Sequence, residues 1–207
     1  MINRNDCLCS NCIMIKKCSV VLLFMFNILA SYGQSKPLTG SLLSDRVQQQ
    51  ANLMGEAFIK GDYQTYTKYA YPGLVKAMGG QSHMVVTLIQ TVSDMQAKGM
   101  TFISIDVDSP TKIIKSHNEL QCTLQQHTAI KLTNGKAVAT STLIALSEDG
   151  GKNWFFVDTS NKDATAMRNS LPNLSPLIVI PPQTKPVFTA FKKYNRAWPM
   201  RAGLCYL

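Results

Sequence analysis

Five side chains in this 207-residue chain are of the kinds that move a proton within a pocket: Tyr63, Tyr66, Asp106, Asp108 and Asp158. A carboxylate beside a protonated tyrosine in a dry cavity can isomerise, cyclise or hydrolyse a small molecule. The surrounding pattern argues against that use. Asp106 alternates away from the apolar face of its own run, Asp108 stands before Ser109-Pro110 where turn aspartates belong, and Tyr66 falls at helical core spacing. His83 begins a helix, His117 lies in a turn and His127 sits on the polar side of a strand, with no i, i+4 pair to hold a metal. Cys7, Cys9 and Cys12 resemble a metal knuckle, but no paired cysteines or histidine follow at ligand spacing, so neither metal nor other cofactor is expected.

A neutral polar group is more informative. From Leu120 to Leu132 every second residue is apolar at the ends and polar in the middle, as on one face of a strand. A two-residue Asn134-Gly135 turn into the next strand would set Gln126 against Leu143. A three-residue loop, Thr133-Asn134-Gly135 with a left-handed glycine, instead sets Ile130 against Val138, Thr128 against Thr140, Gln126 against Thr142 and Leu124 against Ile144. The second register matches apolar with apolar, and it is the one expected. It clusters Gln126, Thr128, Thr140 and Thr142 in mid-sheet, where buried amides and hydroxyls must bond one another or a ligand. None of the four is a good acid or base, which favours binding over turnover; Tyr63 and Tyr66 complete the expected ligand-facing set.

Three kinds of element must position these residues. Leu43, Val47, Ala51, Met54 and Phe58 recur at helical spacing up to Gly61, with Ser41 or Ser44 as cap. Asp62 caps a second helix bearing the tyrosines, Tyr71-Pro72-Gly73 opens a short third, and Ser82 opens a fourth with Val85, Leu88, Ile89, Val92 and Met95 on one face. Strands follow: 101–107 with Ile103, Ile105 and Val107 inward, 112–115, the long hairpin, and a strand entered through Ser147-x-Asp149-x-Gly151-x-x-Trp154, an Asp-box pattern that braces a turn. The last strand, Trp154-Phe-Phe-Val157, is apolar on both sides and must be covered twice. Past it come a loop and short helix to Ser170, then Leu177-Ile-Val-Ile180, a strand-like run stopped by two prolines. The second cover is either the 177–188 segment folded back or a second copy of the chain, which would make a homodimer.

Lys16-Lys17, the apolar run from Val20 to Ala30 and Ser31-Tyr32-Gly33 read as a signal peptide; the expectation is Met14 as the natural start, cleavage near Gly33 and a secreted or periplasmic product. The run is too short for a stable membrane span. Residues 34–40 read as linker, 41–170 as the folded domain, 171–188 as a Pro-rich segment and 189–207 as a basic, disordered tail. The net charge of +9 falls to +7 after cleavage, and four of those charges (Lys192, Lys193, Arg196, Arg201) lie in the tail. No basic stripe with interleaved aromatics remains on the folded part, so nucleic acid is not an expected partner.

Helices first, the Gly61-Asp62-Tyr63 junction, then a meander ending in Trp154-Phe-Phe-Val make this an α+β chain with N-terminal helices on a curved, mainly antiparallel sheet. Over 41–158 it resembles the cone-shaped, cystatin-like roll of the nuclear transport factor-like and SnoaL-like superfamily. That resemblance implies a pocket between helices and sheet, hosting either an enzyme or a plain binding module. The expectation is an exported, non-enzymatic module for a small apolar or amphipathic ligand or for a protein partner; the alternative is an isomerase, cyclase or hydrolase. A pocket holding Gln126 and Thr142 without a carboxylate favours the first; an aspartate within hydrogen-bond reach of a tyrosine favours the second. Mass spectrometry of the mature protein should find an N-terminus close to Gln34, and peptides containing Cys7 or Cys12 in that product would refute cleavage.

Overall fold

Apolar residues recurring every three to four positions make the first part of the chain helical. In the structure, a computed structural model describing residues 40–160 and 162–192, helix α1 spans Gly40–Ile59 and buries Val47, Ala51, Met54 and Ala57. Helix α2 (Tyr63–Tyr69) starts where the Asp62 carboxylate accepts the Thr65 N–H at 3.0 Å. Helix α3 (Pro72–Ala77) has proline in its first turn, where no donor is lost. Helix α4 (Gln81–Ala97) departs from its expected stripe: Met84 and Val85 are buried, Ile89 is exposed, and Gly80 rather than Ser82 occupies the cap. It leans mainly on α2 instead of lying along the sheet, so much of its apolar face has nothing to cover. No helix among the described residues is long and apolar enough to cross a membrane. The expected signal peptide and cleavage point, the prefix cysteines, most of the 34–40 linker and residues 193–207 of the tail lie outside the described residues.

The strands form one curled antiparallel half-barrel, giving an α+β fold with the main helices N-terminal to the sheet. Its spine is the hairpin of β3 (Glu119–Leu132) and β4 (Gly135–Ser147). At the turn end β1 (Thr101–Val107) pairs with β3 and β6 (Val187–Ala190) with β4; at the other end β2 (Ile114–Ser116) pairs with β3 and β5 (Phe155–Asp158) with β4. A bulge in β1 between Phe102 and Ser104 throws Ile103 outward, 45% exposed, and turns Phe102 to the inner side with Ile105. The expected Ile103 position is thus corrected by one extra residue. The C-terminal strand is Val187–Ala190, not Leu177–Ile180, and it runs two residues into the segment expected to be a disordered tail.

The hairpin register also differs from expectation. Leu132 pairs with Gly135 across a two-residue Thr133-Asn134 turn, so Gln126 meets Ser141, Thr128 meets Ala139, Gln125 meets Thr142 and His127 meets Thr140. Apolar matching misled because both faces are buried at the far end: Leu124 meets Leu143 on the inner face while Thr123 meets Ile144 on the outer. Gly135 is not left-handed. It is needed because β6 lies so close that a Cβ there would collide with the Thr189 carbonyl and the Phe188 ring.

Two cores result. The inner one joins Val47, Ala51 and Met54 of α1 to Val107, Leu124, Leu143, Trp154 and Phe156. The outer one covers Ile144, Leu146 and Val157 with Met167 of helix α5 (Ala164–Ser170) and with Leu171, Leu174 and Ile178. The chain therefore supplies the second cover itself, from α5 and 171–178. Gln121, fully buried on that face, accepts the Ser175 N–H at 2.9 Å and donates to the Asn173 carbonyl at 3.0 Å, pinning the cover to the sheet. The Asp-box turn is built from local bonds: Ser147 Oγ accepts the Gly151 N–H, Asp149 accepts those of Lys152 and Asn153, and the Trp154 indole donates to the Gly151 carbonyl. Gln50 of α1 ties that turn down, accepting the Trp154 N–H at 2.8 Å and donating to the Lys152 carbonyl at 2.8 Å. Replacing Gln121→Ala should lower the unfolding free energy by about 2–4 kcal/mol, because two backbone groups lose their partner; an unchanged urea midpoint would mean the cover is held by its apolar residues alone.

Candidate functional site

A cavity of about 510 Å³ lies between the inner face of the sheet, α1 and α2. Its apolar wall follows from local geometry. Phe58 stands one turn after Met54 on α1, and Gly55 between them allows close contact with β1, where an added Cβ would sit 3.0 Å from the Ile105 carbonyl oxygen. Asp62 starts α2 so that Tyr66, one turn on, meets Phe58 edge-on at 5.4 Å between ring centres. The β1 bulge brings Phe102 to the other side of Phe58 at 4.9 Å. Ile105 and Ile130 complete the floor.

The polar end gathers Gln126, Ser141, Asp158 and Ser160. Asp158 ends β5 opposite the inward Leu143 and so faces the cavity. Its Oδ1 accepts the Ser160 N–H at 2.8 Å and the Ser160 hydroxyl at 2.7 Å, while Oδ2 accepts from Gln126 Nε2 at 3.2 Å. Gln183, Thr184 and Pro186 border the cavity from the C-terminal segment, where Gln183 Nε2 donates to the Thr159 carbonyl at 2.6 Å. Burial, and secondarily the negative charge of Asp158, pushes the Tyr66 phenol up to about 12, so it carries its proton throughout the physiological range.

Of the residues expected to face a ligand, Tyr66, Gln126 and Thr128 come together in this cavity. Thr140 only borders it: its hydroxyl lies 3.1 Å from His127 Nδ1 on the opposite face of the sheet. Thr142 is absent from the cavity and accepts a hydrogen bond from Gln125 Nε2 at 3.0 Å on that outer face. The one-residue change of register separates these threonines from Gln126 and Thr128, since a slip by one turns every side chain over. Tyr63 meets Phe58 edge-on at 5.6 Å between ring centres and lines a separate depression with Val92 and Thr101. Asp158, in the sequence a candidate acid only, is the polar focus of the site. Its position two residues past the inward Phe156, on the same face of the strand, is the signal available in the sequence, but β5 ends there and only the turn at Ser160 aims the carboxylate.

The arrangement is poor in reactive groups. Ser160 hydrogen-bonds a carboxylate with no imidazole between them, so it lacks the base that activates a nucleophilic serine. On the outer face Thr140, His127 and Asp108 do form a hydroxyl–imidazole–carboxylate chain, with His127 Nε2 3.1 Å from Asp108 Oδ2. That chain is solvent-exposed and Thr140 sits within a paired strand, so it braces β1, β3 and β4 without an enclosed site. Asp106 is exposed, as are His83 and His117, and no cluster of metal-ligating side chains occurs among the described residues. Cys122 is a buried free thiol, pushed up to about 12 by burial. A carboxylate is therefore present with Gln126, yet no hydrogen bond joins it to Tyr66.

No protein-family model, curated protein or solved structure matches this chain.

Both shifted groups ionise more readily in the unfolded chain, Cys122 from about pH 9 and Tyr66 from about pH 10. Their contribution is thus intact below those values and lost as pH rises towards about 12, by up to about 1.4 kcal/mol per pH unit for each group. Urea melts between pH 9 and pH 12 should show this decline, and Tyr66→Phe should flatten its upper part; an unaltered slope would mean the phenol titrates freely.

Proposed function

We propose that this chain is an exported, non-catalytic module that holds a small amphipathic ligand in the cavity between α1, α2 and the sheet. The observation that carries this reading is the cavity's division into an aromatic and aliphatic body and one polar end at Asp158, within the size range of small-molecule sites. The ligand's apolar part would lie against Phe58, Phe102 and Ile105, and its polar group would reach the Asp158 Oδ2 side. The order of helices before a curled sheet supports kinship with the nuclear transport factor-like and SnoaL-like superfamily, and the basic, apolar and small-residue segments before Gln34 support export.

Tyr66 and Asp158 in one cavity favour a second reading, an isomerase or related enzyme with Asp158 as base and Tyr66 as proton donor. Against it, Ser160 occupies Oδ1 twice and Gln126 occupies Oδ2, which is how a carboxylate is fixed in place rather than left free to collect a proton.

The neutral fluorescent probe N-phenyl-1-naphthylamine should bind saturably to the mature chain. Thr128→Phe, which fills the cavity from β3, should abolish that signal, while Thr142→Val on the outer face should leave it intact. Absence of a saturable signal in the unmodified chain, or its persistence in Thr128→Phe, would refute binding at this cavity.

A further inference from the structure

The cavity's charge is more one-sided than its size. Among the described residues Asp158 is the one charged side chain on its wall, and no lysine, arginine or histidine of that set lines it. The groups that hold the carboxylate are an amide, a backbone N–H and a hydroxyl, all neutral, so they orient the charge without cancelling it. Among the described residues Asp158 makes no ion pair. Phe58, Tyr66 and Phe102 line the same cavity, and ring faces attract cations.

We infer that the cavity selects ligands carrying a protonated amine at one end of an apolar body. This rests on the cavity being the binding site and adds the chemical class of its occupant. The ammonium donates to Asp158 Oδ2, whose one bond, from Gln126, is the longest of the three on that carboxylate. The apolar body then takes the place of water along the aromatic and aliphatic wall. A carboxylate ligand in the same position would meet Asp158 with like charge and no basic residue among the described lining to offset it. The upward push of Asp158 on the Tyr66 phenol is the same uncancelled charge acting on a group already in the cavity.

Isothermal titration of the full chain with octylamine, octan-1-ol and octanoate tests this. Octylamine should bind about ten- to a hundredfold more tightly than octan-1-ol, the difference expected of a hydrogen bond to a charged partner, and octanoate should bind most weakly. Asp158→Asn should erase the preference for the amine while retaining octan-1-ol. Should that variant fail to fold by circular dichroism, the ranking of the three probes on the unmodified chain decides alone. Equal binding of alcohol and amine, or tightest binding of octanoate, would overturn amine selectivity and leave the cavity as a binding site. No binding of any probe would overturn both.

Discussion

A sheet strand with large apolar residues on both sides cannot be left half covered, and this molecule is arranged around meeting that demand at β5. Trp154 and Phe156 go inward against α1, and Val157 goes outward against α5 and the 171–178 segment. The two covers come from opposite ends of the described chain, so β5 and the adjoining half of the β3–β4 hairpin join them into one unit. Polar side chains fix each cover where apolar packing alone would let it slide: Gln50 holds α1 to the turn before β5, and Gln121 holds the 173–175 segment to β3. Both are amides, able to donate and accept at once, which suits them to bridging backbone groups at a strand edge or beneath a loop.

The cavity exists because the inner cover does not extend to the turn end of the sheet. Trp154, Leu124 and Leu143 fill the space beside the first half of α1, but towards Phe58 the facing strand residues shrink to Thr128, Ala139 and Ser141. The curl of the sheet and the Gly55–Ile105 contact keep helix and strand together on one side of this space, and the 183–186 segment crosses its other side before β6 joins β4. An aspartate at the end of β5 then gives an otherwise apolar space a direction. The same carboxylate bonds through Gln126 to the middle of β3, so the polar end of the cavity is fastened to the sheet's longest strand.

Elements made of near neighbours were legible in the sequence. The Asp-box turn has all its internal partners within Ser147–Trp154, and the Asp62 cap and α1 stripe depend on spacings of three and four residues. Residues brought together across the sheet were less legible. The glycine at 135 answers to β6, more than fifty residues away, and not to a left-handed turn, and with both faces buried the apolar pattern could not distinguish the register of β3 on β4 from its neighbour. The β1 bulge similarly exchanges Ile103 for Phe102 at the cavity, and nothing in an alternating run marks where an extra residue is absorbed.

The sequence by itself determined the α+β order of elements, the tyrosine-bearing helix, the double-sided strand β5 and Gln126 as a buried polar position, because each depends on local spacing or on the cost of leaving apolar or polar groups uncompensated. Only the tertiary structure decided which polar residues share a space. It placed Thr140 and Thr142 behind the sheet, set Tyr63 aside and put Asp158 beside Tyr66 and Gln126. Side chains on a strand change face with every residue, so a single step in register or one bulge reassigns the whole set, and that step is set by long-range packing that no local pattern encodes.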